Sequence, residues 1–160
     1  MKKLLFTLVC SLFTLCVSAQ KTNHALGLYI GGSTADLEYQ YHMTSKNFLD
    51  FNAGLFNLND GFYASGIYNW NLNSWSDWTP ELGTWKLYAG VGAAVGYTSY
   101  DDYDGGFVGA VGNLGFGVTL KTPITIALNY RPMVALVCGH HNGFLEPGLW
   151  NMGLSVVYRF

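Results

Sequence analysis

Four sets of residues in this chain carry side chains capable of chemistry. His140 and His141 are adjacent, with Asn142 and Glu146 close behind. A histidine backed by an acid is the general-base half of acyl transfer, but that reaction also needs a nucleophile, and no Ser occurs from 138 to 147. Adjacent histidines also point in different directions, which is poor metal geometry, and no Cys or carboxylate completes a zinc set around them, so no metal is assigned. Loop polarity is the simpler account of both histidines. Asp101, Asp102 and Asp104 offer the oxygen ligands calcium accepts, yet their spacing lacks the Gly and terminal Glu of a calcium loop, which leaves a solvated acidic loop. Cys138 is the third candidate, a single thiol in the second half of the chain. The fourth is Asp36, Glu38, Asp50, Lys86, Arg131 and Arg159, six charges set inside otherwise apolar, alternating segments, where the available chemistry is ion pairing.

These residues sit in an unusual chain. It has 160 residues, of which half are hydrophobic, 11% are charged and 20 are Gly, against about 25% charged in an average soluble domain. Such a composition excludes disorder. Lys2 and Lys3, the apolar stretch from Leu4 to Val17 and the small-residue ending Val17-Ser18-Ala19 form an export signal over 1–19, leaving one domain over 20–160. Val9 and Leu15, which precede Cys10 and Cys16, are too large for a lipidation site. Cleavage removes both of those cysteines, so Cys138 has no partner for an internal disulfide. The remainder holds 6 Lys+Arg against 10 Asp+Glu with no basic cluster, which excludes a nucleic-acid partner.

No stretch after residue 19 has the roughly 20 apolar residues of a membrane helix. Period-two alternation recurs instead, punctuated by Gly-Gly, Asn-Asp-Gly, Asp-Gly-Gly and Lys-Thr-Pro, and predicts strands at 23–31, 34–43, 48–56, 62–72, 85–97, 107–120, 123–137 and 148–160. In each strand one parity is almost wholly apolar, as in Leu37/Tyr39/Tyr41/Met43 and Leu87/Ala89/Val91/Ala93/Val95/Tyr97. All six strand charges fall on the opposite parity, among Gly, Asn, Thr and Ser.

A soluble sheet would cover its polar face with Lys and Glu. Three acids balanced by three bases fit an enclosed network better, because buried charges must be paired. The expected set is Glu38 and Asp50 pairing with Lys86, Arg131 and Arg159. The oily face must then meet lipid, and in hydrocarbon a closed sheet satisfies every backbone group. The fold class is therefore all-β, an eight-stranded antiparallel up-and-down transmembrane β-barrel in the outer membrane of a Gram-negative bacterium. An even strand count puts both ends in the periplasm. Interfacial aromatics Trp70, Trp75, Trp78 and Trp85, with Tyr41, Tyr158 and Phe160, then gather at the periplasmic rim. Trp150, Tyr97, Phe56 and Phe62 gather at the outer one. Two features resist: the connection 73–84 is long for a periplasmic turn, and Pro132 must interrupt the seventh strand.

In length, strand count and final strand the chain resembles small outer-membrane proteins of the OmpX and OmpA membrane-domain type. Its ending, Gly153-Leu-Ser-Val-Val-Tyr158-Arg-Phe160, resembles the signal read by the barrel assembly machinery, with Tyr158 and Phe160 as its aromatics and Ser155 where Gly is usual. The segment Ile126 to Pro132 resembles the penultimate strand of small Bacteroidota barrels. The resemblance implies outer-membrane lipid and the assembly machinery as partners, no cofactor, and a non-enzymatic structural or surface role through loops 57–61, 98–106 and 138–147. Lipid A deacylases, also barrels, have His and Ser near the chain end, so a hydrolase using His140 or His141 is one alternative. A narrow ligand channel is another, since Gly90, Gly92, Ala94, Gly96, Gly109, Gly115 and Gly117 either make room for inward Tyr29, Tyr63, Tyr88, Arg131 and Met133 or line a cavity. Trp75, Trp78, Trp85 and Pro80 could instead dock a periplasmic partner.

Overall fold

The computed structural model describes residues 23–56, 59–100, 103–139, 143–144 and 146–160. Strands β1 (His24–Gly31), β2 (Thr34–His42), β3 (Asn47–Phe56), β4 (Gly61–Trp75), β5 (Gly83–Tyr100) and β6 (Tyr103–Leu120) form an antiparallel meander. Next come β7 (Ile124–Tyr130), β8 (Met133–Gly139), the two-residue β9 (Gly143–Phe144), a 3-10 helix (Glu146–Trp150) and β10 (Met152–Arg159). β10 pairs with β1 through Leu28↔Val156 and with β7 through Leu154↔Leu128, so the sheet closes on itself. Both β7 and β8 pair with β6, at Leu114↔Tyr130 and Val111↔Met133. They are two halves of one stave, and the barrel has eight staves, as the alternation predicts.

The break between those halves is the interruption expected at Pro132. Proline has no N–H for the ladder. Around it the backbone bonds are redirected: Arg131 N–H donates to Asn151 O at 2.7 Å, and Gly112 N–H donates to Pro132 O at 2.8 Å. Parity survives the break, so Asn129, Arg131 and Met133 are all buried on the inner side.

Strand bounds differ from the sequence expectation at both ends of the barrel. The connection 73–84 is ladder at both ends: a bulge at Leu72 shifts the register, after which Asn73↔Leu87, Ser74↔Lys86 and Trp75↔Trp85 continue the pairing. The bulge reverses the parity of β4, so Trp75 joins Trp85 on the outer face. The turn is reduced to 76–82 and closed by Leu82 N–H and Gly83 N–H donating to Thr79 O at 3.0 and 3.1 Å. At the other end β5 and β6 pair as far as Tyr100↔Tyr103, deep into the loop expected at 98–106. The last strand begins at Met152 rather than 148, because 146–150 forms the 3-10 helix.

The wall is oily outside and layered inside. Leu28, Ile30, Leu37, Phe62, Val91, Val95, Leu128, Val134 and Leu154 are each half exposed or more, and comparable residues recur on every stave. Inside, β3 shows the layering in order. Phe48 belongs to an apolar layer with Tyr88 and Ala127. Asp50 and Asn52 follow in a polar layer, and Phe56 enters a second apolar layer with Tyr63, Ile67, Phe107 and Met133. Phe56, expected on the outer aromatic rim, is thus an interior residue with no exposed surface. β3 carries it on the same parity as Asp50.

Candidate functional site

The polar layer is built around one guanidinium. Arg131, 3% exposed, is carried inward by the break in the seventh stave. Its Nη2 donates to Asp50 Oδ2 at 3.0 Å and lies 3.1 Å from Glu38 Oε2. Its Nη1 donates to Asn52 Oδ1 at 2.8 Å and lies 3.8 Å from Asp36 Oδ2. The guanidinium carbon stands 4.2 Å over the Tyr29 ring, a cation–π contact. Staves β2 and β3 supply the three carboxylates and β1 the ring, so this set ties opposite walls together.

The carboxylates have further donors. Ser155 Oγ donates to Glu38 Oε2 at 2.8 Å, and Gln40 Nε2 to Glu38 Oε1 at 2.5 Å. Tyr63 Oη donates to Asp36 Oδ2 at 2.6 Å. Asp36 Oδ1, Asp50 Oδ1 and Arg131 Nε are buried with no hydrogen-bond partner among the described residues. Flanking networks extend the layer: Tyr29 Oη to Asn151 Oδ1 at 3.2 Å, Asn151 Nδ2 to Thr34 Oγ1 at 3.1 Å, Tyr88 Oη to Asn129 Oδ1 at 2.6 Å and Asn113 Nδ2 to Asn69 Oδ1 at 2.8 Å.

Lys86 and Arg159 stand apart from this cluster, which corrects the expected pairing with Glu38 and Asp50. Among the described residues neither has a carboxylate within ion-pairing distance. Both are half-buried at the end of the lumen where β1 begins and β10 ends, below the Phe48–Tyr88 edge-to-face contact at 5.2 Å. The six charges balance only across the whole lumen: one Arg among three acids in the middle, two cations at one mouth.

The small residues of β5 and β6 make room for side chains. A Cβ at Gly115 would fall 2.1 Å from Tyr88 Cζ, and one at Gly96 would fall 2.7 Å from Phe107 Cζ and Tyr63 Cβ. Arg131, Tyr29, Tyr63 and Tyr88 fill the space that the alternative reading gave to a ligand. An apolar depression lies instead on the outer wall, over Ala53, Ala64 and Gly96 and beside Phe62, Tyr97 and Val108.

His140 and His141, with Asp101 and Asp102, lie outside the described residues. Glu146 opens the 3-10 helix. Asp104 is in β6 rather than in a loop, on the outer parity, where Tyr97 Oη donates to Oδ1. Cys138 is exposed on the outer face of β8. Trp75 stacks on Trp78 at 4.8 Å, and both meet Phe116, on which Trp85 also stacks at 5.2 Å. Trp70 meets Tyr68 edge-on at 4.9 Å, and Trp150 is the most exposed of the large hydrophobic side chains. Tyr158 pairs with Leu26, and the Phe160 ring lies 6.3 Å from that of His24. Among the described residues no group of three His, Cys, Asp or Glu could hold a metal.

Sequence reasoning missed Asn52, Ser155, Gln40, Tyr63 and Asn151 as members of the network. Their inward parity was the available signal, but which inward residues meet depends on the stagger between staves. Chemically the layer can lock and occlude the lumen; its hydroxyls beside carboxylates, Ser155 on Glu38 and Tyr63 on Asp36, are buried within the packed layer.

No protein family matches the chain, and no curated protein matches it. Among solved structures it is similar to the N-terminal beta-barrel domain of Pseudomonas aeruginosa OprF, with a TM-score of 0.59 and 17% identity, over 88% of this chain and 100% of that one. The eight-stranded closed antiparallel barrel is therefore the level at which the chain's likeness is established.

Proposed function

We propose that this is an integral outer-membrane protein of a Gram-negative bacterium, exported by a signal cleaved after Ala19 and acting without catalysis as a structural or surface-interacting barrel. The observation that carries the reading is the inversion of the fold. Large apolar side chains cover the outside of every stave, while Asp36, Glu38, Asp50 and Arg131 are buried within. Burying exposed apolar surface in lipid contributes about 25 cal/mol per Å², and water offers no comparable partner for a belt of this extent. The closed sheet leaves no unpaired edge to face hydrocarbon.

In this orientation the Trp75/Trp78/Trp85 cluster anchors the barrel at the periplasmic interface and Trp150 at the outer one. Tyr158 and Phe160 are offered to the assembly machinery, and the outer loops contact the environment. Relationship to the OmpX and OmpA membrane-domain type is part of the same proposal. Cell fractionation followed by heat-modifiability in detergent tests it. The protein should sediment with outer membranes and change gel mobility on boiling. Recovery of a compact monomer from aqueous buffer without surfactant would refute the reading.

A further inference from the structure

We propose that the basic mouth of the lumen, formed by Lys86 and Arg159 over the His42 ring, binds a phosphate group. The inference does not depend on which membrane the barrel occupies. Lys86 and Arg159 are inward residues of β5 and β10 whose charges act on each other and on His42 at the end of β2. Like charges held this close in a half-buried site repel, and among the described residues no carboxylate pairs with either cation. The acids of the polar layer are engaged by Arg131, and the Phe48–Tyr88 contact stands between them and the mouth. The His42 ring stacks on Phe48 at 5.1 Å and closes the floor of the mouth.

The wall between the two cations is suited to an oxyanion. Passing from β10 to β5 by way of β7 and β6, the inward residues at this level are Thr125, Thr119 and Gly117. The Thr119 and Thr125 hydroxyls are 3.0 Å apart, and Gly117 adds no side chain. Arg159 Nε is buried and has no hydrogen-bond partner among the described residues. The guanidinium fork matches two phosphate oxygens as no monatomic anion can. Lys86 supplies the second charge for a dianion. Both cations are partly exposed, so the mouth is reachable from water.

The phosphate could be free or part of a glycerophospholipid headgroup. The test uses the full chain folded in dodecyl maltoside, titrated with sodium phosphate at constant ionic strength set by chloride. The thermal midpoint should rise saturably, by about 3–5 °C at ten times the half-saturating concentration. Lys86→Gln and Arg159→Gln should abolish the rise while unfolding no earlier than the parent in chloride, because repulsion is relieved. Arg159→Lys, which keeps the charge and the fold but loses the fork, should weaken binding by about tenfold. Lys46→Gln, an exposed cation in the turn between β2 and β3 rather than on the inner face of a strand, should leave it intact. Dihexanoyl phosphatidylglycerol below its micellar concentration is the second arm. Tighter response to the lipid identifies a headgroup site, and tighter response to inorganic phosphate identifies a free anion. A parent protein with no saturable response, or an equal response in Lys86→Gln, Arg159→Gln and Arg159→Lys, would overturn the proposal.

Discussion

Replacing Arg131 with Met removes the one cation among the described residues within ion-pairing distance of Asp36, Glu38 and Asp50 while keeping much of its volume. Arg131 is 3% exposed and holds these carboxylates at 3.8, 3.1 and 3.0 Å. Removing one partner of a buried ion pair costs about 3–5 kcal/mol, because the other charge is left without compensation. Three stranded acids and the lost cation–π contact with Tyr29 put Arg131→Met toward the upper end, near 4–5 kcal/mol. That corresponds to about a thousandfold or more in the folding equilibrium. The assay is urea unfolding in detergent, followed by gel mobility and Trp fluorescence. A second variant, Arg131→Met with Glu38→Gln and Asp50→Asn, removes two of the stranded charges and should recover more than half of the loss. If Arg131→Met unfolds within about 1 kcal/mol of the parent, or if the triple variant is no better than the single one, the polar layer is not the lock inferred from its geometry.

The packing of the lumen is tested by two glycines. Gly115→Val places a Cβ 2.1 Å from Tyr88 Cζ and displaces the Tyr88–Asn129 hydrogen bond, for a loss of about 1–3 kcal/mol in the same unfolding assay. Gly66→Ala meets only the Phe51 ring at 3.6 Å on the outer face and should leave stability unchanged or slightly raised. Leu28→Arg, on a side chain that is 59% exposed, should cost about 2–4 kcal/mol in lipid vesicles if that surface meets the bilayer midplane. An unaffected variant would mean water covers it. Hydrogen exchange reads the extended β4–β5 hairpin: ladder amides between Asn73 and Trp75 and between Trp85 and Leu87 should be protected to minutes or longer, whereas a loop there would exchange within seconds.

The amino-acid sequence by itself determined the stave count, the antiparallel meander, the face of each strand and the segregation of charge. Each of these follows from a period of two that is local and needs no knowledge of partners. It also located the interruption at Pro132, since a missing N–H is a property of one residue. Alternation could not reveal that β4 and β5 run on through Trp75↔Trp85, because the Leu72 bulge inverts parity and breaks the signal. Nor could it place Phe56, which has the composition of a rim residue and the parity of a lumen residue. Above all, it could count three acids and three bases without pairing them. Only closure of the sheet, with its particular stagger between staves, decided that Arg131 takes all three carboxylates while Lys86 and Arg159 are left together at the mouth. Charge balance is a sum over the chain, but ion pairing depends on distances of 3 to 4 Å across a lumen that exists only when the first and last staves meet.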